Sequence, residues 1–306
     1  MSSTAAESVL SSPEAGNRVI RGSVWRAAGM LGGVLTGLGT ATLLLRHLGV
    51  AQSGRYVTVF ALVAIGGSVV DLGLNVSASR ELALTQGSQR RELMANVIAQ
   101  RLLVVPVAVL AMVLFTVIVG YPASMRIGAG LAGVGLYAVA VGDALLLPLT
   151  VEMRNAALAL VDFLKQAVVL VCVAVLVALG AHLTAFFGVL MIGGLVVIAS
   201  APLLAGRAAL VAPRLDPRRQ RALLAGALPL AGALVLGQLY FRLVILFMSL
   251  TSNPRQVGWF GGSLRAMESL ASIPVLVAGV ALPMLAAAAR DDRDRLRAAV
   301  QGLSEG

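Results

Sequence analysis

The sequence predicts an all-α integral membrane protein with about eight transmembrane helices. Of its 306 residues, 58% are hydrophobic and only 12% are charged, whereas a soluble domain is about 45–50% apolar and about 25% charged. The mean hydropathy is +0.92. Several apolar stretches reach the roughly 20 residues that a helix needs to cross a bilayer. Composition, hydropathy and run length therefore agree on the fold class.

Eight apolar runs qualify as spans, and the short segments between them carry Gly, Pro, Asn or charged residues. The runs are 24–45, 56–79, 95–119, 127–149, 156–179, 183–206, 222–250 and 257–287. Residues 1–20 are rich in Ser and Ala and lack the apolar core of a signal peptide, so we expect a disordered cytoplasmic tail there. Residues 291–306 are expected to form a second cytoplasmic tail.

The positions of the basic residues predict the orientation in the membrane. With the N-terminus inside, 18 of the 24 Lys and Arg residues lie in or beside inner loops, and 4 lie in outer loops. Cytoplasmic loops collect positive charge, so both termini are predicted to be cytoplasmic. The basic residues that give the net charge of +10 lie in every second loop. They do not mark one face of a folded domain, and they therefore do not indicate nucleic-acid binding.

Two predicted outer loops resemble each other and suggest how the spans are organised. In 48–64 the loop ends at Gly54, and in 251–267 it ends at Gly258; each glycine is followed by a residue pair with an aromatic member and then by a span. A six-span unit that begins again at span seven would explain both as a parallel repeat. The predicted parts are a six-helix lobe at 21–212 and two helices of a second lobe at 213–290.

Charged residues at membrane depth are the first candidates for a functional site. Arg242, in QLYFRLVILFMSL, and Arg265 each lie about eight residues from the outer surface, or roughly 12 Å at 1.5 Å per residue. They can therefore share one layer and one cavity. Glu268 follows Arg265 on the same helix face and can neutralise it. Arg242 would then wait for an anionic ligand such as a phosphate. We predict substrate binding by Arg242, Arg265 and Glu268.

These polar residues could also have structural roles. Arg242 could pair with a distant acid or extend along its own stem toward the membrane surface. Asp71, Asn75 and Asp143 lie nearer the inner side and are candidates for coupling or gating, since an aspartate there could carry a proton or cap a helix.

The sequence does not predict an enzyme, a cofactor or a metal site, because no cluster of ligands and no nucleophile with a base is found. Lys165 follows Asp162 by three residues and is expected to pair with it.

The order of the motifs resembles a known family. The stretch LLLRHLGVAQSGRYVTVFALVAIGGSVVDLGLNVSASRELA resembles the opening of polysaccharide-biosynthesis flippases, the oligosaccharide-lipid branch of the multidrug/oligosaccharidyl-lipid/polysaccharide exporter superfamily. The residues that carry the resemblance are Arg46, Leu48-Gly49, Gly54 with Tyr56, Asp71-Leu72-Gly73 and Arg80-Glu81. The stretch from Gln238 to about residue 288 is similar to the seventh and eighth spans of the family.

The resemblance implies two six-helix lobes, a central cationic cavity and alternating access. It implies a flippase in the bacterial plasma membrane. The cargo would be a polyprenyl-pyrophosphate-linked oligosaccharide, moved from the inner to the outer leaflet, and the partners would be the lipid bilayer and other polysaccharide-assembly membrane proteins. Val244 stands where the family commonly has an acid, which leaves Arg242 freer. The second lobe is incomplete, so the chain is either a truncated product or is completed by another chain.

Two alternatives to the flippase remain. A multidrug-type cation antiporter of the same superfamily would use Asp71 or Asp143 as a proton carrier. A non-transporting membrane subunit would need no cargo site at all. The predicted outer cavity, with two arginines and one glutamate, favours anionic cargo.

Overall fold

The computed structural model describes residues 13–71, 74–152, 154–206 and 211–291. The parts of the predicted tails at 1–12 and 292–306 lie outside these ranges. The described chain is helical and contains no β-strand, which confirms the all-α prediction. Its helices are α1 (Pro13–Asp71), α2 (Leu74–Leu84), α3 (Gly87–Ile118), α4 (Ala123–Val151), α5 (Asn155–Ala178), α6 (Leu183–Ala205), α7 (Pro217–Thr251) and α8 (Pro254–Asp291).

The helices account for the predicted spans. Within the described residues, five helices are long and apolar enough to cross a membrane, namely α1 from Gly32 onward and α3 to α6. Spans seven and eight fall on α7 and α8. The tail prediction is wrong for 13–20, which are helical. Pro13 is the first helical residue, and proline suits this position because its fixed backbone angle matches a helix and its missing N–H is not needed there.

The loop predicted between spans one and two is replaced by a kink at one residue. Gly49 has φ 71° and ψ 171° inside an otherwise continuous α1. This conformation is essentially restricted to glycine, since a Cβ would be strained there. Gly49 therefore divides α1 into a first arm, up to Leu48, and a second arm that starts at Val50.

Glycines bring α4 and α6 into close contact. Gly128, Gly135 and Gly142 recur every seven residues on α4. A Cβ on Gly135 would lie 2.8 Å from the backbone carbon of Leu190, and one on Gly142 would lie 2.6 Å from Cγ1 of Val197. Small residues let transmembrane helices approach this closely. α4 and α6 therefore pack with little space between their backbones.

The two segments that the sequence predicted as similar outer loops lie against each other as helices. A Cβ on Gly54 would clash with the backbone oxygen of Pro254, and a Cβ on Gly258 would clash with that of Val50. Each glycine thus meets the residue four positions before the other glycine. Val50 begins the second arm of α1 as Pro254 begins α8. This reciprocity is what a parallel repeat requires at its two-fold axis, and the domain limits at 21–212 and 213–290 stay predictions.

Candidate functional site

A cavity of about 550 Å³ lies between both arms of α1, α5, α6 and α8, and Val139 of α4 also reaches it. We call it the central cavity. Glycine and apolar side chains form most of its wall. Its polar lining consists of Thr40, Thr42, Arg46, Ser53, Tyr56, Lys165, Gln166 and Arg265. Three of these side chains are cationic, and no carboxylate belongs to the lining as the described residues form it. The wall therefore carries positive charge.

Arg265 is the cation placed in the central cavity by the close packing of α8. A Cβ on Gly261 would lie 2.7 Å from Cγ1 of Val57, so α8 runs directly along the second arm of α1. The Nη2 atom of Arg265 lies 3.9 Å from the position of a Cβ on Gly37, so the guanidinium reaches the first arm. Within the described residues Arg265 makes no ion pair. Its charge is therefore available to a ligand.

The predicted ion pair between Glu268 and Arg265 is wrong. Glu268 pairs with Arg242 of α7, with Nη2 and Oε1 3.1 Å apart, and not with Arg265. The two side chains are 26% and 37% exposed, and neither lines the central cavity. Sequence spacing identified the same-helix neighbour of Glu268, but α7 and α8 are antiparallel neighbours that bring Arg242 nearer. Glu268 therefore provides Arg242 with an acidic partner, although Val244 stands where the family commonly has an acid.

The other two cations of the central cavity differ in their partners. The Nζ atom of Lys165 lies 3.0 Å from Oδ1 of Asp162, which confirms the predicted pair. The carboxylate partly neutralises Lys165, because it belongs to the neighbouring turn of α5. Arg46 lies exposed at the end of the first arm. Arg265 and Arg46 are consequently the stronger positive centres of the wall.

Two hydroxyl groups of the central cavity were missed by the sequence analysis. Ser53 is only 6% exposed, and its Oγ has no hydrogen-bond partner in the described part of the chain. Tyr56 stacks on Phe187 with ring centroids 5.4 Å apart and lies 4.5 Å from the ring of Phe60. The small-Gly-aromatic turn that includes Tyr56 was a signal for the family, but nothing in the sequence showed that these groups face a cavity.

A third missed residue, Arg101, connects the end of α1 to the start of α2. It is 3% exposed. Its guanidinium donates to the backbone oxygen of Val70 at 2.7 Å, to Oδ1 of Asp71 at 2.6 Å and to Oδ1 of Asn75 at 3.0 Å. The charge count placed Arg101 beside an inner loop. A residue at the edge of an apolar run can lie in the loop or inside the helix bundle, and the sequence does not show which of the two applies.

The three candidates for coupling or gating lie near this bridge. Asp71 is bound by Arg101. Asn75 and Asp143 line a second cavity of about 480 Å³, together with Ser79, Arg80 and Asp162 among others. The structure thus brings Asn75 and Asp143 to one cavity and places Asp71 in an ion pair beside it. Their role in coupling stays a prediction.

Comparison with known proteins identifies the fold. A ligand-bound structure of the MATE multidrug transporter DinF-BH matches with a TM-score of 0.59 and 16% sequence identity, covering 93% of this chain and 68% of that one. The crystal structure of the eukaryotic MATE transporter AtDTX14 matches with a TM-score of 0.58 and 14% identity, covering 94% and 69%. No protein-family profile and no curated protein matches. The chain therefore has the fold of these two MATE transporters.

Proposed function

We propose that this multi-pass membrane protein is a transporter whose central cavity binds an anionic, lipid-linked substrate. The single observation that supports this is the charge of the wall, where Arg46, Lys165 and Arg265 line the cavity and no described lining residue is acidic. The cargo expected from the sequence resemblance, a polyprenyl-pyrophosphate-linked oligosaccharide of a bacterial plasma membrane, has the matching chemistry. Its diphosphate is anionic, and its prenyl chain is as apolar as the rest of the wall.

The free guanidinium of Arg265 favours this proposal. Arg265 is exposed in the wall of the central cavity, so a ligand can reach it without displacing a protein partner. Arg265 has no ion-pair partner in the described chain. Diphosphate oxygens accept charge-assisted hydrogen bonds, and a guanidinium can donate two in parallel. We expect the ligand to be held chiefly at Arg265, with Arg46 and Lys165 adding long-range attraction.

The proposed cycle uses the contact between the lobes. The substrate enters the central cavity while the Gly54–Gly258 contact holds the second arm of α1 against α8. When the two helices separate at that contact, the cavity opens to the other side of the membrane from the one at which the substrate entered. The charge count predicts that this side is the outside. Ligand binding can shift this equilibrium only if Arg265 binds the anion differently in the two states.

Multidrug-type transport is the second candidate, and the comparisons favour it. Both structural neighbours are MATE transporters. The second cavity adds a specific observation, because it contains the carboxylates of Asp143 and Asp162, a chemistry suited to a coupling proton or cation. In this alternative the central cavity would bind drugs with little dependence on Arg265.

Transport in proteoliposomes distinguishes the candidates. A fluorescent prenyl-diphosphate-linked sugar reports flipping when an impermeant quencher is added outside, and accumulation of a cationic fluorescent dye reports multidrug transport. We expect flipping by the wild type and at least a tenfold slower rate for Arg265→Gln. Arg255→Gln is the matched control, because Arg255 is an exposed arginine of the same helix that does not line the central cavity.

Dye transport without lipid flipping would favour the second candidate, and so would flipping that Arg265→Gln does not change. If neither compound moves, the chain is better described as a non-transporting membrane subunit.

A further inference from the structure

We infer that Ser53 and Tyr56, together with Arg265, form a phosphate-binding subsite in the central cavity. This inference rests on the proposed function, since it specifies which groups would recognise the anion. The starting observation is the hydroxyl of Ser53. It belongs to a side chain that is 6% exposed and lines the cavity, and it has no hydrogen-bond partner in the described part of the chain.

Neighbouring hydroxyl groups show that an unpartnered Ser53 is unusual here. Thr40 and Thr42 also line the central cavity, yet each donates to a backbone oxygen one turn earlier, at 2.8 Å. Thr58, on the same arm as Ser53, donates to the oxygen of Gly54 at 2.9 Å. Ser53 differs because the carbonyl one turn earlier belongs to Gly49, whose backbone is not helical. Its hydroxyl is therefore left without a backbone acceptor and is free to turn toward a ligand in the cavity.

Tyr56 supplies a second hydroxyl on the same face of the helix. It follows Ser53 by three residues, so the two side chains are neighbours on the helix surface. Stacking on Phe187 and contact with Phe60 fix its ring. Tyr56 is half-buried, and its hydroxyl makes no hydrogen bond with any residue that the structure describes. Both O–H groups can therefore donate to the same ligand.

The packing of the helices places Arg265 on the same side of the central cavity. Gly54, between Ser53 and Tyr56, touches the backbone of Pro254 at the start of α8. Farther along the two helices, a Cβ on Gly261 would lie 2.7 Å from Cγ1 of Val57, so Arg265 lies one turn beyond a direct contact with the neighbour of Tyr56. All three side chains line the one cavity. Helix positions are held by backbone contact here, so the three donors are pre-oriented without help from flexible loops.

The donor set indicates the chemistry of the ligand. Two hydroxyl groups and a guanidinium donate hydrogen bonds, and no described lining residue is a carboxylate that would repel an anion. A phosphate or diphosphate presents acceptor oxygens in several directions and can use all three donors, whereas a planar carboxylate satisfies fewer. The shared chemistry is therefore a phosphate group, whether it belongs to a lipid headgroup or to a free phosphate.

The test measures binding and folding on the same samples. Wild type, Ser53→Ala, Tyr56→Phe and Arg265→Gln are purified in mild detergent, and binding of farnesyl diphosphate and inorganic pyrophosphate is followed by calorimetry. Loss of one hydrogen bond to a charged ligand should weaken binding by about tenfold for each hydroxyl variant. Thr58→Val removes a buried hydroxyl that is already paired outside the cavity, and it should change the Kd by less than about twofold.

Thermal unfolding separates a binding role from a structural one. Ser53→Ala should leave the Tm unchanged or raise it, because the substitution removes a buried polar group without a partner. A lower Tm for Ser53→Ala would mean that the hydroxyl stabilises the fold, and the inference would then be wrong. Tyr56→Phe provides an independent check, because it keeps the ring contacts and removes only the hydroxyl.

The two probes identify the source of the phosphate. Much tighter binding of farnesyl diphosphate indicates a lipid headgroup, and equal binding indicates a free phosphate; either supports the subsite if the hydroxyl variants bind more weakly. If both hydroxyl variants bind like the wild type while Arg265→Gln does not bind, the subsite is refuted and the anionic cavity stands. If the wild type binds neither probe, the proposed anion-binding cavity itself fails.

Discussion

The glycine contact between α1 and α8 makes a prediction in which one substitution has opposite effects at two positions of the same helix. At Gly258, an added Cβ would lie 3.0 Å from the carbonyl carbon of Val50 and in collision with its oxygen. At Gly262, one turn later, it would meet nothing within 4 Å. Alanine should therefore force the helices apart at the first position and fit freely at the second.

The magnitudes follow from two general effects. Overpacking costs about 1–3 kcal/mol, and we expect the upper end because the obstacle is backbone and cannot rotate away. Replacing glycine by alanine inside a helix contributes about 0.5–1 kcal/mol of stability. Gly258→Ala should thus lose about 2 kcal/mol and Gly262→Ala should gain up to about 1 kcal/mol. At about 2 °C per kcal/mol for a chain of this size, the two Tm values should differ by roughly 6 °C.

Thermal unfolding of the two variants in one detergent is the assay. The reciprocal geometry adds that Gly54→Ala should be about as harmful as Gly258→Ala. The double variant should cost less than the sum, because helices already separated accommodate the second Cβ. Equal Tm values for Gly258→Ala and Gly262→Ala would refute the close contact.

Three further predictions concern single residues. Gly49→Ala should lower the Tm, at a cost of about 1–3 kcal/mol, because its backbone conformation is essentially restricted to glycine; an unchanged Tm would mean that the kink tolerates a side chain. Arg101→Met should destabilise the protein by about 3 kcal/mol, since it leaves the acceptors that Arg101 bridges unpaired. Arg90→Met, at an exposed ion pair, should cost less than about 1 kcal/mol. Similar losses of Tm for the two variants would contradict this ranking. Arg242→Glu or Glu268→Arg alone should lower the Tm, and the exchanged double variant should recover most of the loss; no recovery would show that the pair does not contribute.

Much of the fold could be predicted because the membrane restricts it. Spans three to eight correspond to one helix each, since long apolar runs in a bilayer satisfy their backbone hydrogen bonds internally. Run length does not reveal how two runs are joined. The nine residues HLGVAQSGR were therefore predicted as a loop, although one glycine conformation at Gly49 suffices to turn the helix.

The site was harder to predict, because it depends on which helix faces which. Sequence spacing predicted substrate binding by Arg242, Arg265 and Glu268 and expected Arg242 to be the arginine left without an acid, whereas in the structure Glu268 pairs with Arg242. The choice depends on the position of Glu268 relative to α7, which only the packing of the two helices determines. Ser53 was missed for a similar reason, since a serine in an apolar helix normally pairs with its own backbone. Its free hydroxyl becomes evident only when the cavity is seen.

The ion pair between Asp71 and Arg101 also bears on how the chain enters the membrane during synthesis. Arginine or aspartate at the centre of a transmembrane helix makes insertion less favourable by about 2.5–3.5 kcal/mol. The two residues are 30 positions apart, on α1 and α3. Arg101 can therefore reach Asp71 soon after both have been synthesised, and the second arm of α1 and α3 can enter the lipid with these two charges paired. A nascent chain that stops before residue 101 would leave Asp71 in the membrane without this partner.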